Sequence, residues 1–186
     1  MLRLASTSPR RHHLLREAGI EFVAVSPEVE ESLPARGDPH RVAAHNARLK
    51  AMSVACDAGD LVLAADTVVA LGDRLLGKPE GPEQAQAMLR SLGGTTHRVV
   101  TGVALRTPRS CEVRSVETQV TMRSLSEQEI EAYVASGESG GKAGSYAVQE
   151  TADRFVTAME GPYDNVVGLP IDTVREMLAR ARAQGA

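Results

Sequence analysis

Aromatic side chains are scarce in this chain: two Phe and three Tyr, 3% of its residues. Single-stranded nucleic acid is gripped by stacking bases on aromatic rings along a basic groove. With few rings and a net charge of -3, the chain lacks both parts of such a groove. No global basic field recruits nucleic acid, so a polyanionic ligand has to be met by positive charge concentrated locally. Cys56 and Cys111 are the only cysteines. Neither sits in a CxxC pair or a Cys/His cluster, which leaves a disulfide framework and a zinc site without support. Two reduced thiols fit a reducing compartment. No apolar run is long enough to span a membrane, because Asp66 interrupts the longest. Arg10 and Arg11 come before any signal-peptide core can form. The expectation is a cytoplasmic protein with neither a membrane nor a nucleic-acid partner.

What is present is an average globular composition, 42% hydrophobic and 24% charged over 186 residues, ample for a core. Leu2 to Ala5 has the apolar character of a strand. Ser8 followed by Pro9 marks a helix start, with Ser at the N-cap and Pro at the first helical position, and Gly19 marks its end. Phe22 to Val25 predicts a second strand, followed by an acidic loop with Glu28, Glu30 and Glu31. A helix is expected over His40 to Cys56. Leu61 to Leu71 is a candidate buried strand, closed by a hairpin turn at Gly72-Asp73. Pro82 opens a helix that Gly93-Gly94 ends. Val99 to Arg106 and Val113 to Met122 form a strand pair. In the second, Val116, Thr118, Val120 and Met122 alternate with Glu117, Gln119 and Thr121, the pattern of a half-exposed strand. Ser126 and Glu129 have capping-box spacing ahead of a helix that closes at Gly137. A last helix follows Pro170, with Ile171, Val174, Met177, Leu178 and Ala181 on one face. The whole reads as one mixed α/β domain over residues 1–186.

Five places carry chemistry. Ser6-Thr7-Ser8-Pro9-Arg10-Arg11 is a strand-to-helix turn with two arginines. A helix N-terminus offers free N–H groups and positive dipole charge to a phosphate, and arginine adds bidentate bonds. The same residues also fit a simple cap with two solvated arginines. Lys50 falls in an apolar helical stripe with Ala43, Ala47, Ala51 and Val54, where its ammonium either meets a polar cleft or snorkels to water. Asp66 is the single carboxylate in Leu61 to Leu71. A buried carboxylate is costly unless a metal, a cation or hydrogen bonds meet it, and the apolar run resuming behind it argues against a turn cap. Lys78 is held between Gly77 and Pro79, aimed at a site or solvated. The glycine-rich run Gly140 to Gln149 permits close backbone approach to a ligand, and Gln149 can match the O4 and N3–H edge of uracil or thymine. Without other support, a surface loop entering a strand is the simpler reading of that run. Glu28, Glu30 and Glu31 are either solvated or near enough to the first turn to hold magnesium.

The order of these motifs is more specific than any one of them. Leu4-Ala5-Ser6-Thr7-Ser8-Pro9-Arg10-Arg11, Ala65-Asp66-Thr67-Val68-Val69, Gly77-Lys78-Pro79 and Thr96-His97-Arg98-Val99-Val100-Thr101-Gly102 come first. Lys142-Ala143-Gly144-Ser145-Tyr146-Ala147-Val148-Gln149 and Asn165-Val166-Val167-Gly168-Leu169-Pro170 follow. Together they resemble the Maf family (septum formation inhibitor Maf) over almost the whole chain. The resemblance implies an elongated, twisted mixed sheet flanked by helices, with two lobes around a cleft, as in the inosine triphosphate pyrophosphatases. It implies a homodimer and a nucleoside triphosphate pyrophosphatase dependent on a divalent metal, Mg2+ or Mn2+. Asp66 corresponds to the family's proton acceptor, and Asp66 with Glu31 to the metal-holding carboxylates. Ser6, Arg11, Glu31, Lys50 and Lys78 fall on catalytic and phosphate-binding positions. Arg10, Thr67 and Gln149 fall on positions linked to base choice, and the pattern resembles the dTTP/UTP branch rather than the 7-methyl-GTP branch. The chain departs from the family after Gln149, where Glu150-Thr151-Ala152-Asp153 stands in place of the usual glycine and adds two carboxylates. The competing class is a non-enzymatic regulator of septum formation that only binds a nucleotide.

Overall fold

The computed structural model describes residues 1–149 and 151–183. The uninterrupted apolar run becomes the central strand, because only a strand covered on both faces can be apolar on both. Seven strands form one mixed sheet: β1 (Leu2–Ala5), β2 (Val23–Val25), β3 (Leu61–Leu71), β4 (Arg74–Leu76), β5 (Thr96–Arg106), β6 (Cys111–Met122) and β7 (Val156–Glu160). Their order is β2-β1-β3-β5-β6-β7, with β4 paired to β3 off that path. β1 runs parallel to both β2 and β3, and every other pairing is antiparallel. The helices are α1 (Pro9–Glu17), α2 (Pro39–Ser53), α3 (Pro82–Leu92), α4 (Glu127–Ala135), α5 (Tyr163–Val167) and α6 (Ile171–Ala183). None of the described helices is long and apolar enough to cross a membrane.

The two faces of the sheet are packed differently. On one face α2 lays Ala43, Ala47 and Ala51 against Ala5, Val62, Ala64, Val68, Val100 and Ala104. Small residues on both sides let the helix backbone come very close. Gly102 of β5 lies under α2, and a Cβ there would collide with the backbone carbonyl of Ala43 and come within 2.6 Å of Ala44 N. On the opposite face the larger core gathers Leu15 of α1, Leu89 and Leu92 of α3, Tyr133 of α4 and Met177 of α6 around Leu63, Val99 and Val103.

Local signals explain most element ends. α2 starts at Pro39, one residue before expectation, because the Asp38 side chain caps it through His40 N at 2.9 Å. It ends at Ser53 rather than Cys56, since Val54 turns extended to enter the core. Ser8 occupies the N-cap of α1 without a side-chain cap bond; Ser6 Oγ accepts from Ser8 N instead, at 3.2 Å. The capping box of Ser126 and Glu129 is formed. β7 and α5 have no counterpart among the expected elements. β7 is a mostly exposed edge strand, and α5 has only five residues, too few to show a helical period.

One feature of the pairing positions the site. Along one edge of β3, β1 occupies Leu61 to Leu63 and β4 occupies Val69 to Leu71. The other edge pairs continuously with β5 from Val62 to Ala70. Neither β1 nor β4 pairs with residues 64–68, so the sheet has a notch there. Asp66 and Thr67 lie in this notch with side chains on opposite faces, as strand alternation requires.

Candidate active site

A cavity of ≈ 690 Å³ opens at the notch, within the range of small-molecule sites. Of the nine candidate site residues, Ser6, Arg10, Arg11, Glu31, Lys50, Asp66, Thr67 and Lys78 all line it. Residues from the β1–α1 turn, the acidic loop, α2, β3 and the Gly77 loop are thereby brought to one place.

On the α2 face, Asp66 Oδ1 lies 2.7 Å from Lys50 Nζ, and Glu31 Oε1 lies 2.9 Å from the same ammonium. The Lys50 and Asp66 side chains are 6% and 8% exposed, whereas Glu31 is 39% exposed. Lys50 therefore does not snorkel; it is a buried cation held by two carboxylates. The second oxygen of Asp66 accepts from Asn46 Nδ2 at 2.9 Å. Burial pushes the Glu31 carboxyl up, but the hydrogen bond and charge of Lys50, then Lys78 and Arg11, more than offset this and hold it below the usual range. Glu31 is thus an anion poised at the mouth of the cleft. Glu28 and Glu30 are exposed and do not line the cavity.

On the opposite face Arg11 is fixed by three contacts. Its Nε donates to Gly168 O at 2.8 Å, one terminal nitrogen to Thr67 Oγ1 at 3.2 Å and the other to Ser6 Oγ at 3.4 Å. Burial lowers the Arg11 guanidinium from its usual value, and Asp66 opposes that shift; the group stays cationic at any working pH. Behind it, Thr67 Oγ1 shares a 2.9 Å bond with Thr101 Oγ1, which donates to Asn165 O at 2.9 Å. Gly168 has φ 120°, a conformation that favours glycine, and a Cβ there would press to 3.3 Å from Thr67 Oγ1. The Asn165 to Pro170 motif is therefore the back wall that aims Arg11. Arg10 and the N-terminus of α1 complete the cationic side. Cationic groups outnumber the two carboxylates, so a triphosphate finds its charge met locally despite the chain's negative balance.

Val69, Val99, Tyr146, Val148 and Val166, which pack in the larger core, give the cavity an apolar wall. Tyr146 OH shares a 2.6 Å bond with His97 Nε2, and the two rings meet edge to face. Burial pushes the Tyr146 phenol up and keeps it protonated, while it lowers His97 to about 4 and keeps the imidazole neutral. Gln149 is exposed and does not line the cavity, so it stands apart from the other eight. Asp153 is likewise exposed and off the cavity, and Glu150 lies outside the described residues.

Three structural partners escaped the sequence reasoning. Asn46 carried a usable signal, since it lies four residues before Lys50 and so on the same helix face. Thr101 and Asn165 lie within the motifs that carry the resemblance, but nothing local marks their roles, which arise only through the tertiary pairing. As for a metal, Asp66 and Glu31 are hard oxygen donors converging on one ammonium, which fits magnesium or manganese completed by phosphate oxygens. No group of three or more His, Cys, Asp or Glu side chains is poised for a metal among the described residues, so such an ion would depend on the ligand's own oxygens.

The family profile described as "Maf-like protein" matches residues 1–181. A dTTP/UTP pyrophosphatase of Pelotomaculum thermopropionicum is 46% identical over 180 residues, covering 95% of this chain and 94% of that one. One from Thermomicrobium roseum is 49% identical over 180 residues, covering 96% and 83%. Among solved structures, a HAM1 protein from Coxiella burnetii superposes with a TM-score of 0.53 at 17% identity, covering 96% of this chain and 98% of its own. That likeness shows a shared fold, the mixed sheet flanked by helices expected from the motifs. With the profile spanning nearly every residue, and the motifs that carried the resemblance assembled around one cleft, the chain belongs to the Maf family.

Proposed function

We propose that this protein is a nucleoside triphosphate pyrophosphatase that hydrolyses dTTP and UTP to the nucleoside monophosphate and pyrophosphate. The observation that carries it is Asp66, a buried carboxylate fixed by Lys50 and Asn46 on the cleft that Arg11 and the α1 N-terminus also line. A nucleotide sensor has no need of a fixed proton acceptor beside the phosphates. Water attacks the α-phosphorus and gives its proton to Asp66, which keeps free lone pairs beside its two hydrogen bonds. The bond from the α-phosphorus to the bridging oxygen breaks, and pyrophosphate leaves. Lys50, Lys78 and Arg11 meet the charge growing on the leaving group. Asp66 and Glu31 would hold a divalent cation, which would supply further charge neutralisation and a more acidic water. The relatives named dTTP/UTP pyrophosphatase support the base choice, and the apolar wall of the cleft offers the base a surface to pack on.

The test is pyrophosphate release from dTTP, UTP, CTP, GTP, 7-methyl-GTP and ITP with magnesium, by wild type and Asp66→Asn. Turnover of dTTP and UTP that vanishes in the variant is expected. Preference for 7-methyl-GTP keeps the chemistry and overturns the base assignment. Nucleotide binding without pyrophosphate from any substrate moves the protein to the regulator class.

A further inference from the structure

We infer that Asn46 is a positioning residue that fixes the separation of the two cleft carboxylates, Asp66 and Glu31. The inference rests on the proposed pyrophosphatase reading for its kinetic part and on geometry alone for the rest. Asn46 is a buried residue of α2 whose carboxamide makes three hydrogen bonds to two partners. Its Oδ1 accepts from Ser32 N at 3.0 Å, and its Nδ2 donates to Ser32 O at 2.9 Å and to Asp66 Oδ2 at 2.9 Å. The first two bonds copy a strand partner: the side chain pairs with both main-chain groups of Ser32, the residue next to Glu31. The third reaches across the notch to β3. A single rigid amide therefore ties the loop carrying Glu31 to the strand carrying Asp66.

The orientation of the amide is forced. A carboxylate cannot donate, so Nδ2 must face Asp66, and Oδ1 must then face the Ser32 N–H. Both Nδ2 hydrogens are used, and no other side chain of this size offers two donors and an acceptor at one carbon. Aspartate would set a carboxylate against Asp66 and lose both donors. Alanine would remove the loop's tie beside Glu31 and leave others such as Glu31 to Lys50 and the pairing of Arg36 with Arg74. Asn46 touches no reacting atom itself; it acts through Glu31 and Asp66. Residues that orient metal or substrate ligands in this way are worth roughly 10- to 100-fold in affinity or activity when removed.

The experiment combines a kinetic double-mutant cycle with amide hydrogen exchange. Asn46→Ala is expected to lower kcat/KM for dTTP by about 10- to 100-fold and to raise the magnesium concentration giving half-maximal rate. In a Glu31→Gln background the same substitution should cost much less, because the position it protects is already lost. Exchange at the Ser32 amide in the free protein should speed up in Asn46→Ala while amides of β3 and β5 keep their protection. Additive losses in the cycle, or unchanged Ser32 exchange, would overturn the inference. Should the wild type release no pyrophosphate, the functional reading fails, and Ser32 exchange still decides whether Asn46 holds the loop. Calorimetry of Asn46→Ala checks that the variant is folded, and near-normal kcat/KM in the shape-matched Asn46→Asp also refutes the role.

Discussion

Gly102 is the position where a single methyl group should disable the enzyme without touching substrate. It pairs with Asp66 in the β3–β5 register and lies beneath α2, where a Cβ would meet the Ala43 carbonyl and approach Ala44 N to 2.6 Å. These are backbone atoms of a helix, so no flexible side chain can swing aside. In Gly102→Ala, α2 must retreat by on the order of 1 Å, and overpacking of this kind costs about 1–3 kcal/mol. For a chain of this length that corresponds to a Tm lower by about 2–12 °C. The kinetic effect should be larger than the stability effect, because α2 carries Lys50 and Asn46, which hold Asp66. A displacement of about 1 Å at a positioned group can cost roughly 100-fold in rate. The assay is dTTP hydrolysis at a temperature where calorimetry shows the variant fully folded. A variant with unchanged Tm and kcat/KM would refute the claim that α2 is seated on Gly102.

Other outcomes follow from the same geometry. Lys50→Met leaves the buried Asp66 without its cation and should destabilise by about 3–5 kcal/mol; a Tm within a degree or two of wild type would contradict the buried pair. Asp66→Asn should do far less to stability, because Lys50 keeps Glu31. His97 is lowered from 6.5 to about 4 by burial, so the unfolded chain takes up a proton that the folded chain refuses. Stability should therefore fall as pH drops from about 6.5 towards 4, by up to about 3 kcal/mol from this group; His97→Phe should flatten that slope in urea titrations, and an unchanged slope would count against it. A chelator should abolish turnover, magnesium or manganese should restore it, and Tm without nucleotide should move little, since the described residues offer no closed cage of donors.

Much of the site was legible in the sequence because buried charge is conspicuous there. Asp66 stands out in an apolar run and called for a metal, a cation or hydrogen bonds, whereas Lys50 interrupts an apolar helical stripe where snorkelling to water also fitted. β1, β3, α3 and α6 were legible for the matching reason, a clean run or a period with punctuation at its ends. What stayed hidden depends on pairing. The notch at residues 64–68 exists because β1 and β4 share one edge of β3, and no local pattern records which strand takes which edge. Asn46, Thr101 and Asn165 are ordinary polar residues until that pairing buries them. β7 and α5 are short and carry no period of their own. The role of Ser8 as a side-chain cap was plausible from Ser-Pro, yet the bond goes to Ser6, which the strand end places closer.

The central claim is that a triphosphate is cut at its α-phosphorus on a cleft where Asp66 takes the proton. Hydrolysis of dTTP in ¹⁸O-water tests it most directly, with mass spectrometry of both products from wild type and Asp66→Asn. The account predicts one ¹⁸O in dTMP, none in pyrophosphate, and no product from the variant. Label in inorganic phosphate with dTDP as co-product, or an active variant, would contradict it.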